Sequence, residues 1–322
     1  MLNMKVFNRL EDFSGNFPKP IATIGNFDGV HLGHQTLIRD LVGRAEKVGG
    51  TPTVITFHPH PLQVLAPNNA PRLIQTLEQK LATVERFGIQ LAIVIPFTRE
   101  FAQIRAHDFA VNILWNLLHL HEVYVGPNFA FGHRREGSFN LLKEIGEEKG
   151  FIVGKIHQVQ FRGSRVSSTA VRQALISGQA AVARRLLGRP FSLEGTVVHG
   201  DRIGGKIQFP TANVDTINEL SPRKGVYITR VPLDDKKYPA VTNIGTRPTV
   251  TGADGEAETT IETYILDFED NLYGRNLTIE FLARLRDELR FPDLEALAKQ
   301  ISRDVQQTRR YFRYVEKISM CP

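Results

Sequence analysis

The chain of 322 residues contains one cysteine, Cys321, almost at its C-terminal end. A lone cysteine excludes an internal disulfide and a cysteine metal cluster, and it fits a reducing, cytoplasmic setting. Long hydrophobic runs are also missing. The first ten residues have no apolar core of signal-peptide length, and no later run approaches the roughly 20 apolar residues of a membrane-spanning helix. The expectation is a soluble, unexported protein with no membrane partner. The sequence shows no long Lys/Arg block, no zinc-finger spacing, no RNA-recognition signature, no internal repeat and no low-complexity tract. Its net charge of +6 therefore favours nucleotide phosphates over nucleic acid as the anionic partner.

What is present is an ordinary globular composition, 42% hydrophobic and 23% charged, in a chain longer than one usual domain. From residue 20 to about 159, short β-branched runs at 21–24, 53–57, 91–95, 123–125 and 151–153 alternate with segments of helical period. That alternation predicts an α/β domain with a Rossmann-like parallel sheet, with helices over 37–45, 74–87 and 106–119. After about residue 187 the pattern changes to strands without long helices between them, at 193–198, 226–231, 240–244, 261–268 and 277–285, and an antiparallel barrel is the natural closure. A terminal helix starts at Asp293 as N-cap, with Leu294, Leu297, Ile301, Val305 and Phe312 as its apolar stripe. The breaker cluster Gly188-Arg-Pro190 divides the chain into domains 1–187 and 188–322.

Two segments carry chemistry. The first is Thr23-Ile-Gly-Asn-Phe-Asp-Gly-Val-His-Leu-Gly-His34, set between a predicted strand and a predicted helix. A helix N-terminus offers N–H groups and positive potential to a phosphate, and Gly29 and Gly33 allow close backbone approach. His31 and His34, three apart, put both rings on one side of the first turn, where they can stabilise charge on an attacked phosphate. The second is Gly195 to Asn213, a glycine-bearing loop ending in Pro-Thr-Ala-Asn. The Thr211 hydroxyl and Asn213 amide are oxygen ligands of the kind that suit Mg²⁺. His58-Pro-His-Pro61 also invites a metal reading, but no third ligand is evident, and prolines after a strand more often shape a loop.

The first segment resembles the His-x-Gly-His signature of nucleotidylyltransferases, in the longer form of the bacterial bifunctional riboflavin kinase/FAD synthetases. Val125 to Gly137 is similar to that family's second loop, and Arg165-Val-Ser-Ser-Thr-Ala-Val-Arg172 to its Ser-Ser-Thr-x-x-Arg loop. The segment ending in Pro-Thr-Ala-Asn resembles the riboflavin kinase module. That likeness continues through 224–227, 243–250, 261–268 and 272–274.

The resemblance implies that the N-terminal domain binds ATP through Gly25, Phe27, Gly29, His31, His34, Asn128, Ser168 and Thr169, with Arg165 or Arg172 supplying a forked positive charge. In the C-terminal domain it implies ATP and flavin binding by Gly200, Gly204, Lys206, Thr211, Asn213 and Arg247, with Mg²⁺ on Thr211 and Asn213. Glu262 would be the base for the riboflavin hydroxyl. The implied reactions are riboflavin and ATP to FMN and ADP, then FMN and ATP to FAD and pyrophosphate. Some positions depart from the family pattern. Asn128 stands where many members have Asp, Ala130 and Gly205 where Arg is common, and Gln208 where glycine is usual, with Lys206 able to supply the displaced charge.

Overall fold

A computed structural model describes residues 4–126, 129–155, 160–161, 164–200, 209–247 and 258–319. The chain divides into two compact units, Met1–Ser168 and Thr169–Pro322.

The first unit is built on a six-stranded sheet of order β1-β4-β3-β2-β5-β6. Its strands are β1 (Lys5–Phe7), β2 (Pro20–Ile24), β3 (Thr51–His58), β4 (Leu91–Pro96), β5 (Glu122–Val125) and β6 (Ile152–Lys155), and every pairing is parallel. All five residues of β2 are buried and β4 is buried up to its last residue, as expected of strands covered on both faces. β1 pairs with β4 at the sheet edge over only three residues.

Helix α1 (Leu32–Val48) follows β2, buries Leu37, Ile38, Leu41 and Ala45, and ends on Gly49, which takes the left-handed conformation. Two further helices follow, α2 (Pro61–Leu65) and α3 (Leu77–Arg86), the latter opened by a capping box between Thr76 and Gln79. The helix expected over 106–119 is a short α-helical turn, α4 (Ala106–Asp108), continuing as a π-helix over Phe109–Leu117. The remaining helix of the unit, α5 (Phe139–Lys149), leads into β6. The strand order runs outward from β2 in both directions, through β3 and β4 on one side and β5 and β6 on the other. The loop after β2 thus leaves the sheet at its switch point, where such folds open a crevice for ligands.

β7 (Gln160–Phe161) and β8 (Ser164–Arg165) form a small hairpin. Two short helices follow, α6 (Ser168–Ile176) and α7 (Ala180–Leu187). The second unit is dominated by a closed barrel of order β10-β13-β12-β11-β14-β9. Its strands are β9 (Phe191–Val198), β10 (Ala212–Thr216), β11 (Gly225–Leu233), β12 (Lys236–Arg247), β13 (Glu258–Ile265) and β14 (Asn276–Arg286). Every ladder is antiparallel, so closure leaves no unpaired edge. Tyr227, Ile279 and Phe281 are fully buried, and the Thr229, Thr242 and Thr263 hydroxyls satisfy one another at 2.8 and 3.0 Å in a chain across the barrel. α7 packs on β14 and β9.

Helix α8 (Leu294–Ser319) packs on β12 and is capped by Asp293, whose Oδ1 accepts from the Ala296 N–H at 2.8 Å. The expected apolar stripe needs correction. Leu294 is exposed, whereas among the described side chains of the helix the fully covered ones are Asp304 and Thr308. Asp304 is held by a forked bond from Arg286 at 2.7 and 3.1 Å and by Gln300 at 2.9 Å. The helix therefore docks through a satisfied ionic contact as well as through Val305.

Candidate functional site

In the first unit, β2 ends at Gly25, whose N–H donates to the Ile55 carbonyl at 3.0 Å. The chain then turns sharply. Phe27 (φ 50°), Gly29 (φ 81°) and Val30 (φ 38°) all have left-handed backbone, which is costly for a ring-bearing and especially for a β-branched residue. Packing holds it there, because the side chains of Phe27 and Val30 are buried in the core cluster beneath α1. A Cβ at Gly25 would lie 3.1 Å from the Phe27 ring and press on it.

His31 is the N-cap of α1, and its Nδ1 accepts the His34 N–H at 3.3 Å. In the neutral ring that bond places the proton on Nε2. The His31 and His34 rings stack at 3.7 Å with 15° between their planes, and Phe27 meets His34 edge-on at 5.1 Å. A Cβ on Gly33 would sit 3.1 Å from His31 Cε1, so the small residue between the two histidines makes room for the first ring. Burial, then the charges of His31 and Lys80, hold the His34 pKa well below its ordinary value. That shift favours the neutral imidazole at neutral pH. Its Nδ1 is covered and has no hydrogen-bond partner among the described residues.

The floor of this loop is fixed from several directions. Asp28 is buried, and its Oδ1 accepts from the N–H groups of Ile74 and Gln75 at 2.9 and 3.4 Å. Ser168 donates its hydroxyl to the Asp28 carbonyl at 2.8 Å. Lys80, 9% exposed, donates from Nζ to Thr56 Oγ1 at 3.0 Å and to the Asn26 carbonyl at 3.3 Å. Desolvation lowers the Lys80 pKa from 10.5 to about 8, against the attraction of Asp28. His60 caps α2 through Nδ1 and sits 3.0 Å from the Asn26 amide through Nε2. Among the described residues no three His, Cys, Asp or Glu side chains are grouped to hold a metal ion.

The structure thus brings Gly25, Phe27, Gly29, His31, His34 and Ser168 together. Thr169 and Arg172 follow in α6, within the second unit. Arg165 lies on β8 opposite Gln160, and Asn128 lies outside the described residues. Sequence reasoning missed Asn26, Asp28 and Lys80. Lys80 sits in an ordinary Leu-Glu-Gln-Lys-Leu helical stretch and carries no signal in the sequence.

In the second unit the register assembles the polar row. Asn213 on β10 lies directly opposite Glu262 on β13, and Glu262 lies directly opposite Asn243 on β12. Directly paired residues share a face, so three half-buried polar side chains stand side by side. By alternation this is the face opposite the interior threonines. It carries Val241 and Tyr264, which pack with Val305 of α8.

Gly200 approaches the Asn213 amide so closely that any side chain there would overlap it. Phe209, just before the Pro-Thr-Ala-Asn run, meets the Tyr264 ring edge-on at 5.3 Å and anchors that run to β13. Asn243 Oδ1 is buried with no hydrogen-bond partner among the described residues. A Cβ on Gly245 would lie 2.5 Å from Glu288 Oε1, which places a second carboxylate beside the row. Amide and carboxylate oxygens so arranged fit a hard divalent cation. Thr211 immediately precedes β10 and is half-buried. Arg247 ends β12 opposite Glu258, and Gly204 and Lys206 lie outside the described residues.

Comparison with known proteins gives a family for each part of the chain. The family model described as FAD synthetase matches residues 15–170, and the one described as riboflavin kinase matches residues 187–312. A bifunctional riboflavin kinase/FMN adenylyltransferase of Escherichia coli K12 is 41% identical over 293 residues, covering 91% of this chain and 92% of the relative. The chain belongs to the bifunctional riboflavin kinase/FMN adenylyltransferase family. A relative of the same description from Pseudomonas fluorescens is 40% identical, covering 90% of this chain and 92% of its own. A crystal structure described as a macrolide-efflux protein from Streptococcus pneumoniae superposes with a TM-score of 0.84 at 27% identity over 96% of this chain and 99% of its own. Among the described residues here, no helix is long and apolar enough to cross a membrane.

Proposed function

We infer that this chain makes flavin nucleotides with two ATP-using sites. One phosphorylates riboflavin to FMN with release of ADP, and the other transfers AMP from ATP to FMN, giving FAD and pyrophosphate. We assign adenylyl transfer to residues 1–187 and phosphoryl transfer to residues 188–322. The observation that carries the reading is the pairing of two distinct phosphate chemistries in one chain, the stacked His31/His34 at a helix N-terminus and the Asn213–Glu262–Asn243 row on a barrel.

In adenylyl transfer an FMN phosphate oxygen attacks the α-phosphorus of ATP and pyrophosphate leaves. His31 donates from Nε2 and neutral His34 adds a second ring, so negative charge growing on the phosphorus oxygens meets donors already in position. No covalent enzyme intermediate is needed, since two positioned reactants suffice. Arg165 or Arg172 supplies the forked cation, and Asn128 and Thr169 complete the nucleotide contacts. Ser168 acts partly through the loop it ties to Asp28.

In phosphoryl transfer Glu262 orients the terminal ribityl hydroxyl and takes its proton as the γ-phosphate is transferred. Thr211 and Asn213 would hold Mg²⁺, which offsets phosphate charge when bound. Gly200, Gly204, Lys206 and Arg247 embrace the phosphates and flavin. The lone cysteine and the scattered basic residues support a cytoplasmic enzyme whose partners are riboflavin, FMN and ATP, with no nucleic acid.

The test is to separate FMN and FAD chromatographically over time in purified variants. Glu262→Gln lowers riboflavin phosphorylation by roughly 10²–10⁴-fold while supplied FMN is still adenylated. His31→Ala and His34→Ala show the reverse. Equal loss of both activities in a variant with native circular dichroism refutes the division of labour.

A further inference from the structure

Asn243 Oδ1 is a covered acceptor with no hydrogen-bond partner among the described residues, and its side chain stands directly opposite Glu262. An oxygen left in that state costs the free protein stability. The neighbouring residues account for the missing partner. On β11 the position opposite Asn243 is Val226, which is buried and apolar and offers no side-chain donor.

Along β12 the next residue on the same face is Gly245. The point that its Cβ would occupy lies 3.3 Å from Asn243 Nδ2, 2.5 Å from Glu288 Oε1 and 3.2 Å from Thr260 Oγ1. The amide nitrogen is thus on the side of a carboxylate and a hydroxyl, both of them acceptors, and the amide oxygen is left on the other side. A carbonyl oxygen only accepts, so whatever pairs with it must bring an O–H or N–H.

The order of the row indicates which molecule brings that donor. Asn213 and Asn243 flank Glu262 on opposite sides, one on β10 and the other on β12. With the metal assigned to Thr211 and Asn213, the ATP phosphates lie on the Asn213 flank. In phosphoryl transfer the attacking oxygen stands opposite the leaving oxygen, so the carbon that carries it points away from the phosphate. An alcohol held at Glu262 must therefore run its chain along the Asn243 flank. Directly paired side chains have Cβ atoms about 4.5–5.5 Å apart, a span of a few carbon–carbon bonds. In a sugar-alcohol chain the next hydroxyls fall within that span.

We propose that Asn243 is a specificity-determining residue of the kinase site, accepting through Oδ1 a hydrogen bond from a secondary hydroxyl of the ribityl chain, close to the terminal hydroxyl that Glu262 deprotonates. The residue selects a polyhydroxylated acceptor over a plain alkyl alcohol. Because the free protein already holds this oxygen unpaired, the bond is gained on binding and is forfeited by an analogue that lacks the hydroxyl. This assignment rests on the reading of the barrel as the site of riboflavin phosphorylation.

The test measures kcat and KM in the full-length wild-type protein and in Asn243→Leu, which keeps a similar shape and removes the acceptor. The substrates are riboflavin and the two analogues that each lack one of the secondary hydroxyls nearest the chain end. The wild type is expected to favour riboflavin over one of these analogues by about 10–100-fold in kcat/KM. Asn243→Leu should turn over riboflavin and that analogue alike, at the lower value. Most of the change should appear in KM, since the chain hydroxyl is bonded before transfer as well as during it.

A side chain that merely held the fold would lower turnover of all three substrates by one factor and leave their ratios as in the wild type. That outcome overturns the proposal, as does a wild-type protein that does not distinguish riboflavin from either analogue. If leucine disturbs the strand pairing, Asn243→Ala is compared in the same way, with the same ratios deciding. A fault in the functional reading registers separately, as a wild-type protein that does not phosphorylate riboflavin, and the proposal falls with it.

Discussion

Replacing Lys80 with methionine should stabilise the first unit while damaging its chemistry. Lys80 is 9% exposed, and burial lowers its pKa from 10.5 to about 8. At about 1.4 kcal/mol per unit, that displacement means the charged ammonium costs the folded state about 3 kcal/mol at neutral pH. The sign follows from proton counts. Between about pH 8 and 10.5 the unfolded chain holds a proton that the folded chain has released, so wild-type stability rises with pH across that window, and the full cost is present below it. Methionine fills similar space without the charge. It also deprives Thr56 Oγ1 and the Asn26 carbonyl of their donor, a loss of about 1 kcal/mol.

The net gain at pH 7 is then about 2 kcal/mol, a rise of roughly 4–8 °C in Tm for a unit of this size, shrinking to near zero by about pH 9.5. Scanning calorimetry at the two pH values reads it directly. Adenylyl transfer should fall about tenfold, because the Asn26 to Gly29 turn loses its buried anchor and its positive backing. One of the pressures on His34 is also removed, so its pKa rises and the acid limb of the adenylation profile moves up with it. Riboflavin phosphorylation should not change. A variant less stable than wild type at pH 7, or equally stabilised at both pH values, would refute the reasoning.

Arg44 makes a forked bond to the fully buried Glu122 at 2.8 and 2.9 Å, with Tyr124 donating to the same carboxylate at 2.8 Å. Burial alone would raise the Glu122 pKa, but these bonds outweigh it and hold it below the ordinary carboxylate value. Arg44→Met should therefore cost about 2–4 kcal/mol in urea unfolding at pH 7, a deficit that narrows as pH falls and the stranded carboxyl takes up a proton. The fragment 1–187 retains the whole Arg165–Arg172 stretch and should still adenylate supplied FMN. Its α7, deprived of β14 and β9, should exchange its amide hydrogens freely, and protection equal to that in the full chain would contradict the packing described here.

Much of the architecture was legible because the sequence keeps two periods apart. Runs such as Leu91-Ala-Ile-Val-Ile95 are short, apolar and β-branched, as a strand covered on both faces must be, and the helices between them carry caps and glycine stops. The elements that escaped notice have physical reasons. β1 is a three-residue edge strand. β10 is half-polar and begins inside the Pro-Thr-Ala-Asn run, where the loop chemistry dominates the reading. Apolar spacing marks a helix over 106–119 but does not distinguish the π-helical pitch adopted there. Leu294 looks like the first residue of a stripe, yet α8 is anchored further along by Asp304. His31 and His34 could be nominated because a local spacing of three fixes their relation. Asn243 could not, because its place beside Glu262 depends on the register of two strands.

The same contrast explains why the histidine loop can be strained. Left-handed backbone at Phe27 and Val30 costs of order 1–3 kcal/mol at each residue, and nothing local offsets it. The offset comes from elsewhere in the unit: two buried side chains beneath α1, the Asp28 carboxylate holding the Ile74 and Gln75 amides, Ser168 on the Asp28 carbonyl, and Lys80 under Asn26. The ties hold Asn26, Phe27, Asp28 and Val30 from different directions, so relaxing one leaves the others in place. A turn held in this way presents the first N–H groups of α1 and two stacked imidazoles in one arrangement before any nucleotide arrives. Reorganisation that would otherwise be required during reaction is completed on folding, which is the condition under which fixed dipoles stabilise a developing charge most effectively.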